Sequence, residues 1–174
     1  MAWRTTGTKD PAVETRFGWS PEAEAKLLAE VEAKYLPADA SRQQKQQFRA
    51  RLHWEDLLLA RACARGEETA WDEFCHKYQT GLRRSARIMT RDGVRGEELA
   101  DGLIGDLFGL RTRDGVRCSK LNSYMGLGSL EGWLRALLAQ AHVDEWRQRR
   151  RWTGLDESES LQTLVTFPHP APAS

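Results

Sequence analysis

The chain is predicted to be all-α, and three observations carry that prediction. Val and Ile together number eight, whereas Leu and Ala number 21 and 20; β-branched residues favour sheets, while Leu and Ala favour helices. No proline lies between Pro37 and Pro168, so helices can run unbroken through most of the chain. Within that stretch Trp71, Phe74, Cys75, Tyr78, Leu82, Ala86 and Met89 form one apolar stripe at helical spacing over about five turns.

The elements follow in order. Residues 1–19, broken by Gly7, Pro11 and Gly18, are expected to be poorly ordered. Ser20-Pro21-Glu22 starts a helix: an N-cap hydroxyl, a proline in the first turn and an acid against the helix dipole. It continues through Leu27, Leu28, Val31 and Tyr35 and stops before Pro37. Ser41 or Asp39 caps a second helix with Phe48 and Leu52 on one side, and a third runs from Trp54 to Ala64 and breaks at Gly66. Thr69-Ala70-Trp71-Asp72 matches a capping box opening the periodic helix, which ends near Asp92-Gly93. Gly96 to Leu110 forms the next helix, with Leu99, Leu103 and Leu107 on one face. Residues 111–128 have no period and read as a long loop; Ser129 then caps a helix reaching Trp152, followed by an acidic, then Pro-rich tail. This divides the chain into a partly helical extension (1–52), a helical domain (53–152) and a tail or linker (153–174).

Composition excludes several functions. Against 26 Lys and Arg stand 25 Asp and Glu, so nucleic-acid affinity would have to come from local clustering of charge. No stretch reaches the roughly 20 apolar residues of a membrane span, and Met1-Ala2-Trp3-Arg4 does not open a signal peptide. Cys63, Cys75 and Cys118 are odd in number and contain no C-x-x-C pair, so the expected compartment is the reducing cytoplasm and no zinc site is expected. Cys75 and His76 are adjacent and point to different sides of a helix, so they do not form a nucleophile–base pair. Gly126-Leu127-Gly128 with Gly132 has the wrong spacing for a dinucleotide loop. No enzyme chemistry and no cofactor are expected.

Two features call for explanation. The Glu97, Glu98, Asp101 cluster admits a metal, helix-dipole compensation or a basic partner helix. On the same helix Gly102, Gly105 and Gly109 each cost about 1 kcal/mol against Ala. They suggest either close approach by another backbone or a marginal helix that tightens on binding. The last helix is more informative. Trp133, Leu134, Leu137, Leu138 and Ala141 share its core face. Ala136, Ala139, Val143, Trp146, Arg147 and Arg150 gather opposite, with Gln140 on the edge, ending in the run Trp146-Arg147-Gln148-Arg149-Arg150-Arg151-Trp152. Such a run is either a solvated face or a surface for phosphates and stacked bases. Asp144, near the core face, is expected to pair with Arg83, Arg84 or Arg87.

Together these pieces resemble region 2 of the sigma-70 family, in its extracytoplasmic-function type. The opening helices of that family are similar to Leu57-Leu58-Leu59-Ala60-Arg61-Ala62, Gly66-Glu67 and Ala70-Trp71-Asp72-Glu73-Phe74 with Tyr78. Glu98-Leu99-Ala100-Asp101-Gly102-Leu103-Ile104 falls at its D-L-V-Q-E-V-F segment, and Leu130-Glu131-Gly132-Trp133-Leu134 through Asp144-Glu145-Trp146-Arg147 at F-R-A-W-L with its D-x-x-R ending. The resemblance spans about residues 54–152. It implies a compact helical bundle in which Glu98, Leu99, Asp101, Gly102 and Leu103 face core RNA polymerase. Gln140, Val143, Trp146, Arg147, Arg149, Arg150 and Arg151 would face the single-stranded −10 region of promoter DNA, with the 111–128 loop holding a flipped base. The family's Gln and Glu are Asp101 and Gly102 here, the loop is longer, and the 22 residues after Trp152 are too few for the domain that reads the −35 element, so a stand-alone region 2, a fragment, or a separate subunit supplying the rest is expected. A separate region 4 subunit or an anti-sigma regulator is the further partner this leaves open. Two rivals stand beside this reading: a sigma-derived adaptor that binds polymerase or a regulator without reading DNA, and an unrelated helical nucleic-acid binder.

Overall fold

The computed structural model describes residues 16–109, 112–113, 115–117 and 119–164; side chains are described outside 112–113, 116–117 and 155–164. It is an all-α bundle, with helices α1 (Pro21–Tyr35), α2 (Arg42–Arg51), α3 (Trp54–Arg65), α4 (Glu68–Phe74), α5 (Thr80–Thr90), α6 (Gly93–Phe108) and α7 (Leu130–Leu164). A π-helical turn, Cys75–Gln79, joins α4 to α5 without interruption.

The punctuation is chemical. Ser20 Oγ accepts from the Ala23 amide, with Pro21 opening α1. Ser41 and Gln44 cap α2 reciprocally, and Gly66 ends α3 in the left-handed region at φ 90°. The chain turns so sharply there that the Glu67 amide donates to the Ala62 carbonyl. α4 therefore starts at once, at Glu68, and Thr69 lies inside its first turn instead of capping it. Asp92 Oδ1 accepts from the amides of Val94 and Arg95, so α6 begins three residues before the expected Gly96. It ends at Gly109, whose φ of 72° makes it a C-cap rather than a packing glycine.

Leu57, Leu59, Phe74, Leu107, Leu121, Leu130, Leu134 and Leu138 are almost fully buried and form the centre of the core. The expected stripe is present, with Trp71, Phe74, Tyr78, Leu82 and Ala86 buried and Cys75 and Met89 half-buried. Four-residue steps drift by about 40° each in a regular helix, and the wider π turn within the stripe absorbs part of that drift.

Three further expectations change. Residues 16–19 are part of the fold: Trp19 is buried, its indole N–H donates to the Leu58 carbonyl at 3.2 Å, and Arg65 stacks over its ring; residues 1–15 lie outside the described residues. The 111–128 segment is partly structured. Thr112–Arg113 pairs antiparallel with Val116–Arg117, and Lys120–Ser123 forms a 3-10 turn anchored by buried Leu121 and Tyr124. Finally, α7 does not stop at Trp152 but continues to Leu164, since Gly154 costs a helix only about 1 kcal/mol and no proline intervenes.

Candidate nucleic-acid and partner interface

α7 is oriented from its start by α3. Asp56 accepts from the Leu130 amide at 2.9 Å through one carboxylate oxygen and from the Tyr78 hydroxyl at 3.1 Å through the other. Its negative charge thus sits on the positive end of α7, while Ser129 Oγ accepts from the Gly132 amide. Burial, with Asp56 as the next contributor, pushes the Tyr78 phenol upward, so it remains a neutral donor. Nothing in the local sequence marks Asp56: it is an ordinary first-turn acid of α3 until the tertiary fold sets it against another helix.

Leu134 and Leu138 then bury one side of α7, with Trp133, Leu137 and Ala141 half-buried beside them. The opposite side is open. Gln140, Arg147, Arg149, Arg150 and Arg151 are exposed, as are Val143, Trp146 (51% exposed) and Trp152 (73%). The Arg150 guanidinium lies 4.8 Å from the Trp146 ring centroid, presenting a cation and an aromatic face together. The expected partners of Asp144 are not found. Asp144 is exposed and accepts from Gln140 Nε2 at 2.9 Å, with Arg147 3.8 Å away. Arg149 is paired with Glu145. Both acids are one turn from their arginines, and α5 is occupied elsewhere.

That occupation is on α6. Arg83 clasps Asp101 Oδ1 with two nitrogens at 2.9 and 3.0 Å, and Arg87 pairs with Glu97. The basic partner helix for these acids is therefore α5 of the same chain. The docking set implied by the resemblance is trimmed accordingly. Leu103 is a core residue at 3% exposure that reaches the surface only at the floor of the α6–α7 groove; Asp101 is already engaged; Leu99 is half-buried; Glu98 and Gly102 are exposed. The close-approach glycine is Gly96 rather than Gly102. A Cβ on Gly96 would lie 2.7 Å from the Arg87 Cα, whereas one on Gly102 would meet nothing within 4 Å.

Glu98, Leu99, Gly102 and Asp106 of α6 form a groove with Ala141, Glu145 and Gln148 of α7, about 410 Å³ in volume. At 100° per residue, Ala141, Glu145 and Gln148 span about 60°, with Val143, Trp146 and Arg150 diametrically opposite. The molecule thus has an acidic, groove-bearing flank and a cationic, aromatic flank on either side of α7. A second hollow, about 490 Å³, opens where the loop enters α7, between Tyr35 of α1 and Tyr124, Met125, Leu127 and Trp133. The loop contributes Ser123, Tyr124, Met125, Leu127 and Gly128 to its lining, whereas Tyr35 comes from a helix whose sequence suggests no role.

Burial pushes the Cys63 thiol up to about 12 and raises that of Cys75, so neither is a thiolate nucleophile at neutral pH; Cys118 lies outside the described residues. Among the described residues no three His, Cys, Asp or Glu side chains group to hold a metal ion, and no helix is long and apolar enough to cross a membrane. No family model matches the chain, and neither a curated protein nor a solved structure does.

Proposed function

We propose that this chain is a sigma-like transcription initiation factor of the cytoplasm, which docks on core RNA polymerase and captures the melted −10 promoter element. The observation that carries the reading is the outer face of α7, where Trp146 is exposed beneath Arg150 and beside Val143 and Arg147. Indole faces stack on unpaired bases and guanidinium groups neutralise phosphates, a combination that offsets the cost of holding a strand open. The α6 flank, on the far side of α7, supplies Glu98, Leu99 and Gly102 for a protein partner, while Asp101 would have to exchange Arg83 for a partner's cation. The resemblance of residues 54–152 to sigma region 2 supports the assignment of each flank.

The second reading, an adaptor that binds polymerase or another protein without reading DNA, draws on the Arg147–Asp144 and Arg149–Glu145 pairs, which neutralise two of the four arginines in the run. A pull-down with core polymerase, followed by fluorescence anisotropy on a forked −10 oligonucleotide, separates the two. Arg147→Ala with Arg150→Ala is expected to weaken oligonucleotide capture and flatten its salt dependence while leaving polymerase retention intact. Retention without any preference for the −10 sequence in the wild type would establish the adaptor. Loss of both activities in the double variant would refute the two-flank assignment.

A further inference from the structure

We infer that the α1–α2 extension is itself a single-stranded nucleic-acid-binding element, with α2 contacting phosphates and Tyr35 offering a stacking surface at the hollow beside it. This goes beyond the reading above, and it stands without the polymerase-binding half of that reading.

The first observation is charge. Residues 40–54 contain no acid and four cations, Arg42, Lys45, Arg49 and Arg51, with the rest of α2 rich in glutamine. At 100° per residue Arg42, Lys45 and Arg49 form a single stripe about 60° wide, an arrangement that destabilises an isolated helix by mutual repulsion. One carboxylate answers it: Glu32 pairs with Arg49, and Arg49 first and Lys45 last among the contributing charges hold that carboxyl below its ordinary range. Arg42 and Arg51 are exposed and have no carboxylate partner among the described residues. No residue of α2 is fully buried, and Phe48 alone packs half-buried against the core. A cationic helix so little compensated by its own chain attracts a polyanion.

The second observation is position. The His53 amide, two residues after Arg51, donates to the Gly126 carbonyl at 2.8 Å, fastening the C-terminal end of α2 to the loop that enters α7. Arg61 ties the other partner in place, donating to Glu30 of α1 at 3.1 Å and to Met125 Sδ of the loop at 3.4 Å. The hollow between them is floored by Tyr124 and Trp133, whose rings pack 5.5 Å apart. Tyr35, 42% exposed, stands on its rim, its ring backed by Phe48 of α2 at 6.3 Å and a 30° tilt. Lys34 of α1 lies 5.8 Å from the Tyr35 ring centroid, so the part-exposed ring carries a cation of its own. Cations on α2 and beside Tyr35, together with a supported and part-exposed ring, supply the two components of single-strand binding: phosphate contacts and a stacking platform. A lipid surface fits less well. An interfacial helix needs a broad apolar face, and α2 offers only Phe48 and Ala50, with Phe48 turned onto Tyr35.

The test uses the full chain without polymerase and a fluorescein-labelled oligothymidylate, titrated by anisotropy at several salt concentrations. The triple change Arg42→Gln, Lys45→Gln, Arg51→Gln keeps helix propensity. It is expected to reduce the slope of log K against log salt by about 2, at about 0.7 for each phosphate no longer neutralised. Tyr35→Ala is expected to weaken binding at least about fivefold with the slope unchanged. The charge-preserving triple change Arg42→Lys, Lys45→Arg, Arg51→Lys should retain the wild-type slope, which excludes a folding defect as the cause. A wild type that does not bind oligothymidylate, or a glutamine variant with an unaltered slope, would overturn the inference. So would a glutamine variant that loses binding to phosphatidylserine vesicles while keeping the oligonucleotide. Failure of −10 preference or polymerase docking, with α2-dependent oligothymidylate binding retained, would sink the proposed function and leave this element standing.

Discussion

The contact between α5 and α6 permits a sharp test, because two glycines on one helix should respond to the same substitution with opposite sign. At Gly96 an added methyl would sit 2.7 Å from both the Cα and the amide nitrogen of Arg87, and 2.9 Å from its Cγ. Two of those atoms are backbone, so relief requires the helices to separate, which also disturbs the Arg87–Glu97 pair one residue away. Overpacking of this kind costs about 1–3 kcal/mol, against which the propensity gain of about 1 kcal/mol from Gly to Ala recovers only part. Gly96→Ala should therefore be destabilised overall. At Gly102 the same methyl enters open space, and only the propensity gain remains, so Gly102→Ala should be stabilised by about 0.5–1 kcal/mol. Urea unfolding followed by circular dichroism measures both. Equal signs for the two variants would show that α5 and α6 do not cross at Gly96 as described. Gly102 also lies on the proposed docking flank, so a stabilised Gly102→Ala chain with reduced polymerase retention would locate that contact.

Three further outcomes are expected. Asp56→Ala removes the acceptor for both the Leu130 amide and the Tyr78 hydroxyl and should cost about 2–4 kcal/mol in chemical unfolding, with Asp56→Asn losing less. Trp146→Ala should leave the unfolding midpoint unchanged and weaken single-strand binding by about 1–3 kcal/mol, read by anisotropy. Glu32 has its carboxyl held low, chiefly by the hydrogen bond from Arg49. Its contribution is therefore present above the ordinary glutamate value and lost as pH falls through the lower folded value. Acid titration of thermal stability should show wild type and Glu32→Gln converging at low pH, and a constant difference across the range would contradict the pairing.

Helix starts and stops were legible because each depends on a few neighbouring residues. Ser20 with Pro21, the Ser41–Gln44 box and Gly66 act within one turn, and the 71–89 stripe repeats a local period. Where local signals competed, the outcome turned on the fold. Thr69 lost its capping role because the reversal at Gly66 begins α4 earlier, and the acids of α6 found arginines on α5 that no spacing rule pairs with them.

The open face of α7 was also readable, since a helix whose Leu134 and Leu138 face inward must turn Val143, Trp146 and Arg150 outward. The hollow was not, because its walls come from Tyr35, Tyr124 and Trp133, separated by up to about a hundred residues and joined only when α1, the loop and α7 pack together. Composition and helical period settle which segments coil and which side of each is apolar, since those depend on neighbours one turn away. Whether Leu103 is hidden, which carboxylate begins α7 and which glycine admits a neighbouring backbone depend on crossing angles set by the packing of the whole core.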